Sequence, residues 1–283
     1  MSGFSAAWLA LREPYDARAR NAEVFSAVAA LFKQRDLLRI VDLACGTGSA
    51  VRALGPRLAA RQNWRLADND PGLLADVANM PTPKDVTVST VALDLTRDLE
   101  AALEGPIDLV SASALLDLVS KTWLERLAVE TVARSISVYA TLSYDGRIEL
   151  APLDPLDASI VAAVNAHQCT DKGFGPALGP AAAAAAIAHF ESIGYSVVQG
   201  ASDWTIGPDD HAMQLEVLAG WASAAHETGK LTEADTATWL TRRRDAVTAG
   251  LSSIRVGHVD FFATPMHTRW AERSQSNNTS SSI

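Results

Sequence analysis

The sequence predicts an α/β protein built on a doubly wound, mostly parallel seven-stranded sheet, with a lid inserted after the fifth strand. Short apolar runs alternate with helical segments along the first half of the chain, which is typical of a parallel sheet covered on both faces. A glycine turn, Gly46-Thr47-Gly48, follows the first apolar run. Apolar residues make up 48% of the 283 residues, which is ample for a packed core in one large domain.

The N-terminal part of the chain predicts a helical cap and the first two strands. Apolar residues at helical spacing place the cap at residues 1–36. Residues 39–43 form an apolar run that ends at the glycine turn, which favours a buried parallel strand, and residues 49–60 predict the next helix. Residues 64–67 predict the second strand. Asp70-Pro71 predicts a helix start, with aspartate as the cap and proline in the first turn.

Three further strands precede a break in this alternation. The third strand, residues 86–93, is rich in β-branched residues. Residues 107–112 and 135–144 predict the fourth and fifth strands, with a helix at 121–132 between them. Many glycine and proline residues then interrupt the pattern at about 145–180, which predicts an inserted lid that recognises a substrate.

Beyond the insertion the sequence predicts the remaining helices and the last two strands. We expect the sheet domain to extend from residue 37 to residue 273, and the Ser- and Asn-rich tail, 274–283, to be disordered. The elements predicted here are helix 180–193, strand 195–199, helices 211–227 and 232–248, and strand 253–263.

Charge and cysteine content argue against several function classes. A net charge of −9 repels phosphate backbones, so we expect no nucleic-acid partner, and the run Arg242-Arg243-Arg244 predicts a solvated helix face. Cys45 and Cys169 are far apart and do not form a disulfide framework. Residues 1–13 show no signal-peptide pattern, and the most apolar stretch, 180–190, is too short to cross a bilayer. We therefore expect a cytoplasmic protein without a membrane partner.

The glycine turn is the candidate ligand-binding loop. Glycine carries no side chain, so the backbone can approach a ligand closely. Asp68 ends the second strand about 20 positions after the first, where its carboxylate can accept hydrogen bonds from both hydroxyls of a ribose. Ligands of doubly wound sheets bind at the carboxyl ends of the strands, where the strand order reverses.

Two cofactors suit this arrangement, a nicotinamide dinucleotide and S-adenosylmethionine. The dinucleotide fingerprint Gly-x-Gly-x-x-Gly requires a small third residue for close packing, but Val51 stands there. Asp42, inside the loop strand, suits the cationic sulfonium and amino-acid end of S-adenosylmethionine better than it suits a pyrophosphate. These residues favour S-adenosylmethionine.

Four motifs carry a resemblance to class I S-adenosylmethionine-dependent methyltransferases. They occur in the family's order and spacing between residues 39 and 118. The family's first motif usually has glycine where Ala44 stands. The four matching segments, in order, are residues 41–49, 66–71, 92–95 and 107–112.

The resemblance implies that the cofactor contacts the ends of the first four strands. Gly46 and Gly48 would approach the methionine portion, and Asp68 would hold the ribose. Asn69 would pack on or bond to the adenine, and Asp94 would accept a hydrogen bond from the adenine amino group. The contacts implied by the motifs are Asp42, Ala44, Gly46, Gly48, Asp68, Asn69, Asp94, Leu95 and Ser111.

Two further groups of cofactor contacts follow from the resemblance. The Leu95 backbone would contact the adenine ring, and Ser111 would line the sulfonium region. In this family an N-terminal helix often covers the cofactor, so Tyr15 and Arg18 are candidates to close over it, with the arginine forking onto the methionine carboxylate. The alternative for Tyr15 and Arg18 is a solvated, charged helix face.

Residues 165–176 are the candidate contact with the methyl acceptor. This stretch is the densest polar segment outside the motifs, and it follows the fifth strand. His167 is the candidate catalytic base, and Lys172 the candidate partner of an anionic acceptor. The alternative is an ordinary connecting loop. We expect no metal at His167 and Cys169, because no second ligand pair lies nearby in the sequence.

The sequence therefore predicts methyl transfer from S-adenosylmethionine to an oxygen or nitrogen of a small-molecule acceptor. Two alternatives stay open, an NAD(P)-dependent oxidoreductase and a non-catalytic S-adenosylmethionine-binding regulator. The identity of the acceptor and the oligomeric state do not follow from the sequence.

Overall fold

The computed structural model describes residues 4–58 and 61–266, so the predicted tail at 274–283 lies outside the described residues. The strands are β1 (Leu37–Leu43), β2 (Arg61–Asp68), β3 (Val86–Ala92), β4 (Leu109–Ser113), β5 (Ser137–Ala151), β6 (Tyr195–Ala201), β7 (Trp204–Ile206) and β8 (Ser253–Pro265). The helices are α1 (Ala6–Ala19), α2 (Ala22–Phe32), α3 (Ser49–Leu54), α4 (Pro71–Ala78), α5 (Leu99–Ala102), α6 (Lys121–Ala133), α7 (Asp157–Gln168), α8 (Ala182–Ser192), α9 (His211–Glu227) and α10 (Glu233–Thr248).

The strands form one sheet in the order β3-β2-β1-β4-β5-β8-β6, with β7 paired to β8. Strands β1 to β5 run parallel to one another, and β8 is antiparallel to its neighbours β5, β6 and β7. The predicted doubly wound, mostly parallel sheet is confirmed, with the three-residue β7 as an additional strand. The strand order reverses between β1 and β4, which places a ligand-binding crevice at the carboxyl ends of these two strands.

Helices cover both faces of the sheet. Successive strand residues point to opposite faces, so apolar residues at neighbouring positions need helices on both sides to bury them. Ile40 of β1 packs in a cluster with α2, α3 and α4, whereas the next residue, Val41, packs in a cluster with α6 and α8. Trp64 and Phe190 are among the largest fully buried side chains of these two clusters. Strands β1 and β4 are therefore buried on both faces, which favours apolar residues at most of their positions.

A third hydrophobic cluster includes part of the predicted lid region, from the end of β5 and from α7. Strand β5 continues seven residues past Tyr144, the predicted end of this strand, and the continuation pairs with the first half of β8. A register shift between Tyr144 and Ile148 interrupts the pairing, which explains why the sequence pattern breaks there. Helices α7, α9 and α10 pack on this extension, so most of the lid region is regular structure.

The three consecutive arginines of α10 differ in their environments. Arg243 is only 2% exposed, pairs with Asp157 and donates from Nη1 to the Pro152 carbonyl over 2.6 Å, so the predicted solvated face is wrong for this residue. The helical period explains the error, because Arg243 lies one turn from the buried residues Trp239 and Val247. None of the helices in the described part of the chain combines the length and apolarity that a bilayer crossing requires.

Candidate functional site

A cavity of about 700 Å³ opens at the carboxyl ends of β1, β2 and β4, at the point where the strand order reverses. Its walls come from the glycine turn, the ends of β2 and β4, the turn after β3, helix α1 and the loop after α7. The predicted site residues that line it are Asp42, Ala44, Gly46, Asp68, Asn69, Asp94, Leu95 and Lys172.

The glycine turn is held open by left-handed backbone and by Asp68. Ala44, Gly46 and Gly48 have φ angles of 53°, 54° and 79°, which favours glycine and leaves Ala44 as a mildly strained exception. Asp68 accepts from the Gly46 amide over 2.8 Å and from the Asp70 amide over 3.0 Å. Because each carboxylate oxygen can accept more than one hydrogen bond, Asp68 orders the turn and keeps accepting capacity for a ligand.

Two predicted contacts, Gly48 and Ser111, lie behind the cavity wall. Gly48 donates to the Cys45 carbonyl over 2.9 Å at the start of α3, and a Cβ at Gly48 would lie 3.2 Å from the Met80 sulfur. Ser111 is buried on β4 directly opposite Asp42 of β1. Gly48 therefore shapes the turn, and Ser111 acts on the cavity through Asp42.

Asp42 is a buried carboxyl that lines the floor of the cavity. Its side chain is 2% exposed, and its Oδ1 atom has no hydrogen-bond partner among the described residues. Burial raises the pKa of Asp42 to about 7, while Ser111 and the Arg20 charge oppose this shift and the Asp68 charge adds to it. Burying a carboxylate oxygen without a partner is costly, so a cationic ligand at this position would stabilise the ionised form.

Asp94 is fixed by the loop that follows β3. Its Oδ1 atom accepts from the Thr96 amide over 2.9 Å and from the Thr96 hydroxyl over 2.6 Å, and these bonds lower the pKa of Asp94. The carbonyl of Leu95 accepts from the Trp123 indole over 2.7 Å, which ties the same loop to α6. The cavity therefore has an ionised carboxylate beside a backbone segment of fixed position.

Helix α1 covers the cavity with a different face from the one predicted. Tyr15 donates to Asp210 over 2.7 Å, and the Arg18 guanidinium lies 4.5 Å from the Tyr15 ring centre, and neither residue lines the cavity. The cavity-lining residues of this helix are Leu9, Arg12 and Asp16. Their spacing of three and four is the helical signal that could have identified them.

Helix α1 is anchored to the glycine turn by an ion pair and by close packing. Glu13 receives two hydrogen bonds of 2.6 Å from the Arg52 guanidinium, which also donates to the Thr47 carbonyl over 2.7 Å. A Cβ at Gly46 would lie 3.1 Å from the Leu9 side chain. The helix thus packs directly on the backbone of the turn, which closes the cavity on that side.

Lys172, Gly173 and Phe174 form the wall that the loop after α7 contributes. The Lys172 Nζ atom lies 3.1 Å from His167 Nδ1, and His167 Nε2 lies 3.0 Å from a Glu227 carboxylate oxygen. Burial lowers the pKa of Lys172, and the Glu227 charge opposes this. The structure thus places Lys172 in the cavity wall and His167 behind it, in contact with Lys172 rather than with the cavity.

No protein-family model and no curated protein matches this sequence. A similar solved structure is the cyclopropane synthase MmaA2 from Mycobacterium tuberculosis, at 11% identity, covering 85% of this chain and 82% of that chain with a TM-score of 0.45. Another is a SAM-dependent methyltransferase from Geobacter sulfurreducens in complex with S-adenosyl-L-homocysteine, at 12% identity, covering 94% and 100% with a TM-score of 0.42.

A third similar structure is a cyclopropane-fatty-acyl-phospholipid synthase-like protein from Lactobacillus casei, at 15% identity. It covers 93% of this chain and 94% of that chain, with a TM-score of 0.46. The assignment of an activity to this chain therefore depends on the cavity and its residues.

Proposed function

We propose that this protein is a class I S-adenosylmethionine-dependent methyltransferase that methylates an oxygen or nitrogen of a small-molecule acceptor. The observation that carries the proposal is the buried, unpartnered carboxylate oxygen of Asp42 at the floor of the cavity. It lies beside a glycine turn whose backbone is exposed to the cavity and near a second carboxylate, Asp68, at the end of β2. Together these groups suit a ligand that combines a cationic end with a ribose.

The ammonium group, the ribose and the adenine of the cofactor each have a matching group in the cavity. Asp42 would attract the ammonium group, and Asp68 would accept from the ribose hydroxyls. Asp94 would accept from the adenine amino group, and the adjacent Leu95 and Asn69 would pack on the ring. When bound, the cofactor supplies a methyl group that its sulfonium already activates. The protein therefore has to align the acceptor atom with this methyl group and exclude water.

The chain supplies alignment through rigid elements and excludes water with α1. The glycine turn is fixed by Asp68, and α1 is fixed by the Glu13–Arg52 pair. Leu9 of α1 packs on Gly46, so one apolar side chain shields the turn from solvent. Positioning of two reactants in a near-attack geometry can supply about 7–11 kcal/mol of the barrier.

The cavity supports this cofactor over a nicotinamide dinucleotide. Val51 is 1% exposed and packs in the hydrophobic cluster under α3, at the place where the dinucleotide fingerprint requires glycine. Asp16 lines the cavity as the partner of Arg12. The charges of the four other cavity-lining aspartates would repel a pyrophosphate, and these are Asp42, Asp68, Asp70 and Asp94. The cavity also reaches Lys172, which supports an acceptor site and hence an enzyme over a regulator.

Calorimetry with S-adenosylhomocysteine and with NADH separates the two cofactor classes. We expect the homocysteine compound to bind and NADH not to bind. Catalysis is tested separately, by incubating the protein with methyl-labelled S-adenosylmethionine and a metabolite extract, with mass spectrometry of the products. Tight binding of NADH alone would refute the proposal, and cofactor binding without any labelled product would favour the regulator.

Asp42 makes cofactor affinity dependent on pH. Its pKa is raised from 3.8 to about 7, so Asp42 is largely protonated below about pH 7 in the folded protein. The folded protein therefore loses stability as the pH rises between these two values. A bound ammonium group favours the ionised form. We therefore expect the affinity for S-adenosylhomocysteine to fall as the pH is lowered from about 8 to about 6.

The pH dependence is measured by calorimetry on the wild type and on Asp42→Asn, which cannot ionise. Asp42→Asn should bind more weakly at the higher pH and show a flatter profile. Asp76→Asn, an exposed aspartate of α4, is the matched control and should reproduce the wild-type profile. Parallel profiles for the wild type and Asp42→Asn would exclude Asp42 as the group that binds the ammonium.

A further inference from the structure

Lys172 stands apart from the other charged side chains of the cavity. The cavity's second cation, Arg12, is paired with Asp16 through two hydrogen bonds of 2.9 and 3.2 Å. Among the described residues no carboxylate forms a salt bridge with Lys172, whose contact is the His167 ring. Lys172 is therefore an available cation in a cavity whose other charges are carboxylates or an internally paired arginine.

The loop that carries Lys172 is held in a defined conformation by hydrogen bonds and packing. The Asp171 carboxylate accepts from the Gly173 amide over 2.6 Å and from the Gly175 amide over 3.0 Å. Phe174 bridges to Val119 through the backbone, and its ring meets that of Trp123 edge to face, with ring centres 5.5 Å apart. These contacts fix the backbone on both sides of Lys172 and hold it against the cavity.

A second layer of polar groups positions the ammonium of Lys172. His167 lies between Lys172 and Glu227, at 3.1 Å from the Lys172 Nζ atom and 3.0 Å from the Glu227 carboxylate. His167 comes from α7 and Glu227 from α9, so two helices of the third hydrophobic cluster support one side chain of the cavity. Neither His167 nor Glu227 lines the cavity, which makes them positioning residues.

The surroundings of Lys172 in the cavity are apolar. Phe174 follows it by two residues, and Leu115 and Leu118 line the cavity from the turn after β4, on which this loop packs. A cation bordered by aromatic and aliphatic side chains suits a molecule with an acidic group on an apolar body. A fully neutral ligand would leave the ammonium without a partner in a partly desolvated position.

We propose that the methyl acceptor is a small amphipathic acid, whose oxyanion is bound by Lys172 while its apolar body packs on Phe174 and Leu118. His167 and Glu227 hold the ammonium in position for this contact. The inference rests on the proposed function, because it assigns the acceptor end of the same cavity. It also gives Lys172 a role that differs from cofactor binding, and the two roles can be separated by experiment.

The test uses two fluorescent probes that share most of an apolar skeleton and differ in charge. Anilinonaphthalene sulfonate is anionic, and N-phenyl-1-naphthylamine is its neutral counterpart. We expect the anionic probe to bind the protein saturated with S-adenosylhomocysteine, and Lys172→Met to weaken its binding about tenfold. Lys172→Arg should restore most of the affinity, and the neutral probe should bind wild type and Lys172→Met alike.

Controls separate this inference from the proposed function. Lys121→Met removes an exposed lysine that pairs with Glu125 on α6 and should change nothing. Calorimetry should give the same S-adenosylhomocysteine affinity for wild type and Lys172→Met, and circular dichroism reports whether the variant is folded. If the wild type does not bind S-adenosylhomocysteine, the proposed function fails. If Lys172→Met loses that affinity, Lys172 belongs to the cofactor site and the acceptor inference is overturned.

A pH profile tests the positioning role of Glu227. The Glu227 charge raises the pKa of Lys172 against the effect of burial. Glu227→Gln should therefore shift the alkaline loss of anionic-probe binding to lower pH, which a purely structural role would not do. The other titratable groups beside Lys172 are His167 and Asp171, which the variant leaves in place.

Competition against the anionic probe identifies the oxyanion. Benzoate and phenyl phosphate present a carboxylate and a phosphate on the same ring, and the stronger competitor indicates the acceptor's acid. Equal affinity of the anionic probe for wild type, Lys172→Met and Lys121→Met would overturn the inference, and so would the absence of probe binding in the cofactor-saturated wild type.

Discussion

Replacement of Asp68 by alanine is expected to weaken binding of S-adenosylhomocysteine by about 1–3 kcal/mol, or roughly 5- to 150-fold in Kd. The substitution removes the acceptor proposed for the ribose hydroxyls. It also leaves the Gly46 and Asp70 amides without their acceptor, so the glycine turn loses the contact that orders it. Isothermal titration calorimetry on the purified variant measures the effect directly.

Asp76→Ala is the matched control for this prediction. Asp76 is an exposed aspartate on α4, and its removal changes the net charge by the same amount without touching the cavity. Asp76→Ala should bind like the wild type. An unchanged affinity in Asp68→Ala would mean that the ribose is held elsewhere, and the proposed binding mode would have to be abandoned.

Replacement of Arg243 by methionine is expected to lower the free energy of unfolding by about 3–5 kcal/mol, the usual range for breaking one side of a buried ion pair. Arg243 is buried, pairs with Asp157 and donates to the Pro152 carbonyl. Methionine fills a similar volume but leaves the Asp157 carboxylate with the Trp239 indole as its remaining side-chain donor. Denaturant unfolding followed by circular dichroism measures the difference.

The neighbouring arginine supplies the control for the Arg243 substitution. Arg242 pairs with Asp154, but the Arg242 side chain is 44% exposed, so solvent screens its charge. Arg242→Met should therefore leave the unfolding midpoint close to that of the wild type. Equal and small effects for the two variants would show that the buried pair does not stabilise α10 against α7.

The parts of the fold that were predictable are those in which local pattern and tertiary structure agree. Ile40, Val41 and Leu43 are apolar because β1 is buried on both faces, and the glycines that follow have the left-handed backbone that only glycine adopts readily. Asp70 caps α4 with proline in the first turn, as its sequence indicates. Strand order and the position of the cavity follow from this regular alternation.

The parts that were not predictable depend on contacts between distant segments. The sequence predicts that Tyr15 and Arg18 cover the cavity, but Tyr15 packs on the third cluster and Arg18 is exposed. The helix presents Leu9 and Arg12 to the cavity instead. The helical spacing determines which residues share a face of the helix. It does not determine which of two neighbouring faces lies against the rest of the protein. Arg243 was misassigned for the same reason.

Asp42 shows a further kind of information that sequence does not contain. The motif identifies this residue, but its raised pKa comes from burial beneath the cavity and from the Asp68 charge, against the opposing effects of Ser111 and Arg20. Similarly, the link between His167 and Glu227 joins residues 60 positions apart on different helices. Both features require the packed structure.

The contacts of α1 link the two ends of the cavity. The helix is tied to the glycine turn through Glu13 and to α9 through the Tyr15–Asp210 bond, and α9 also bears Glu227. The same helix, α9, therefore connects α1 above the cofactor end of the cavity with the residues that support Lys172.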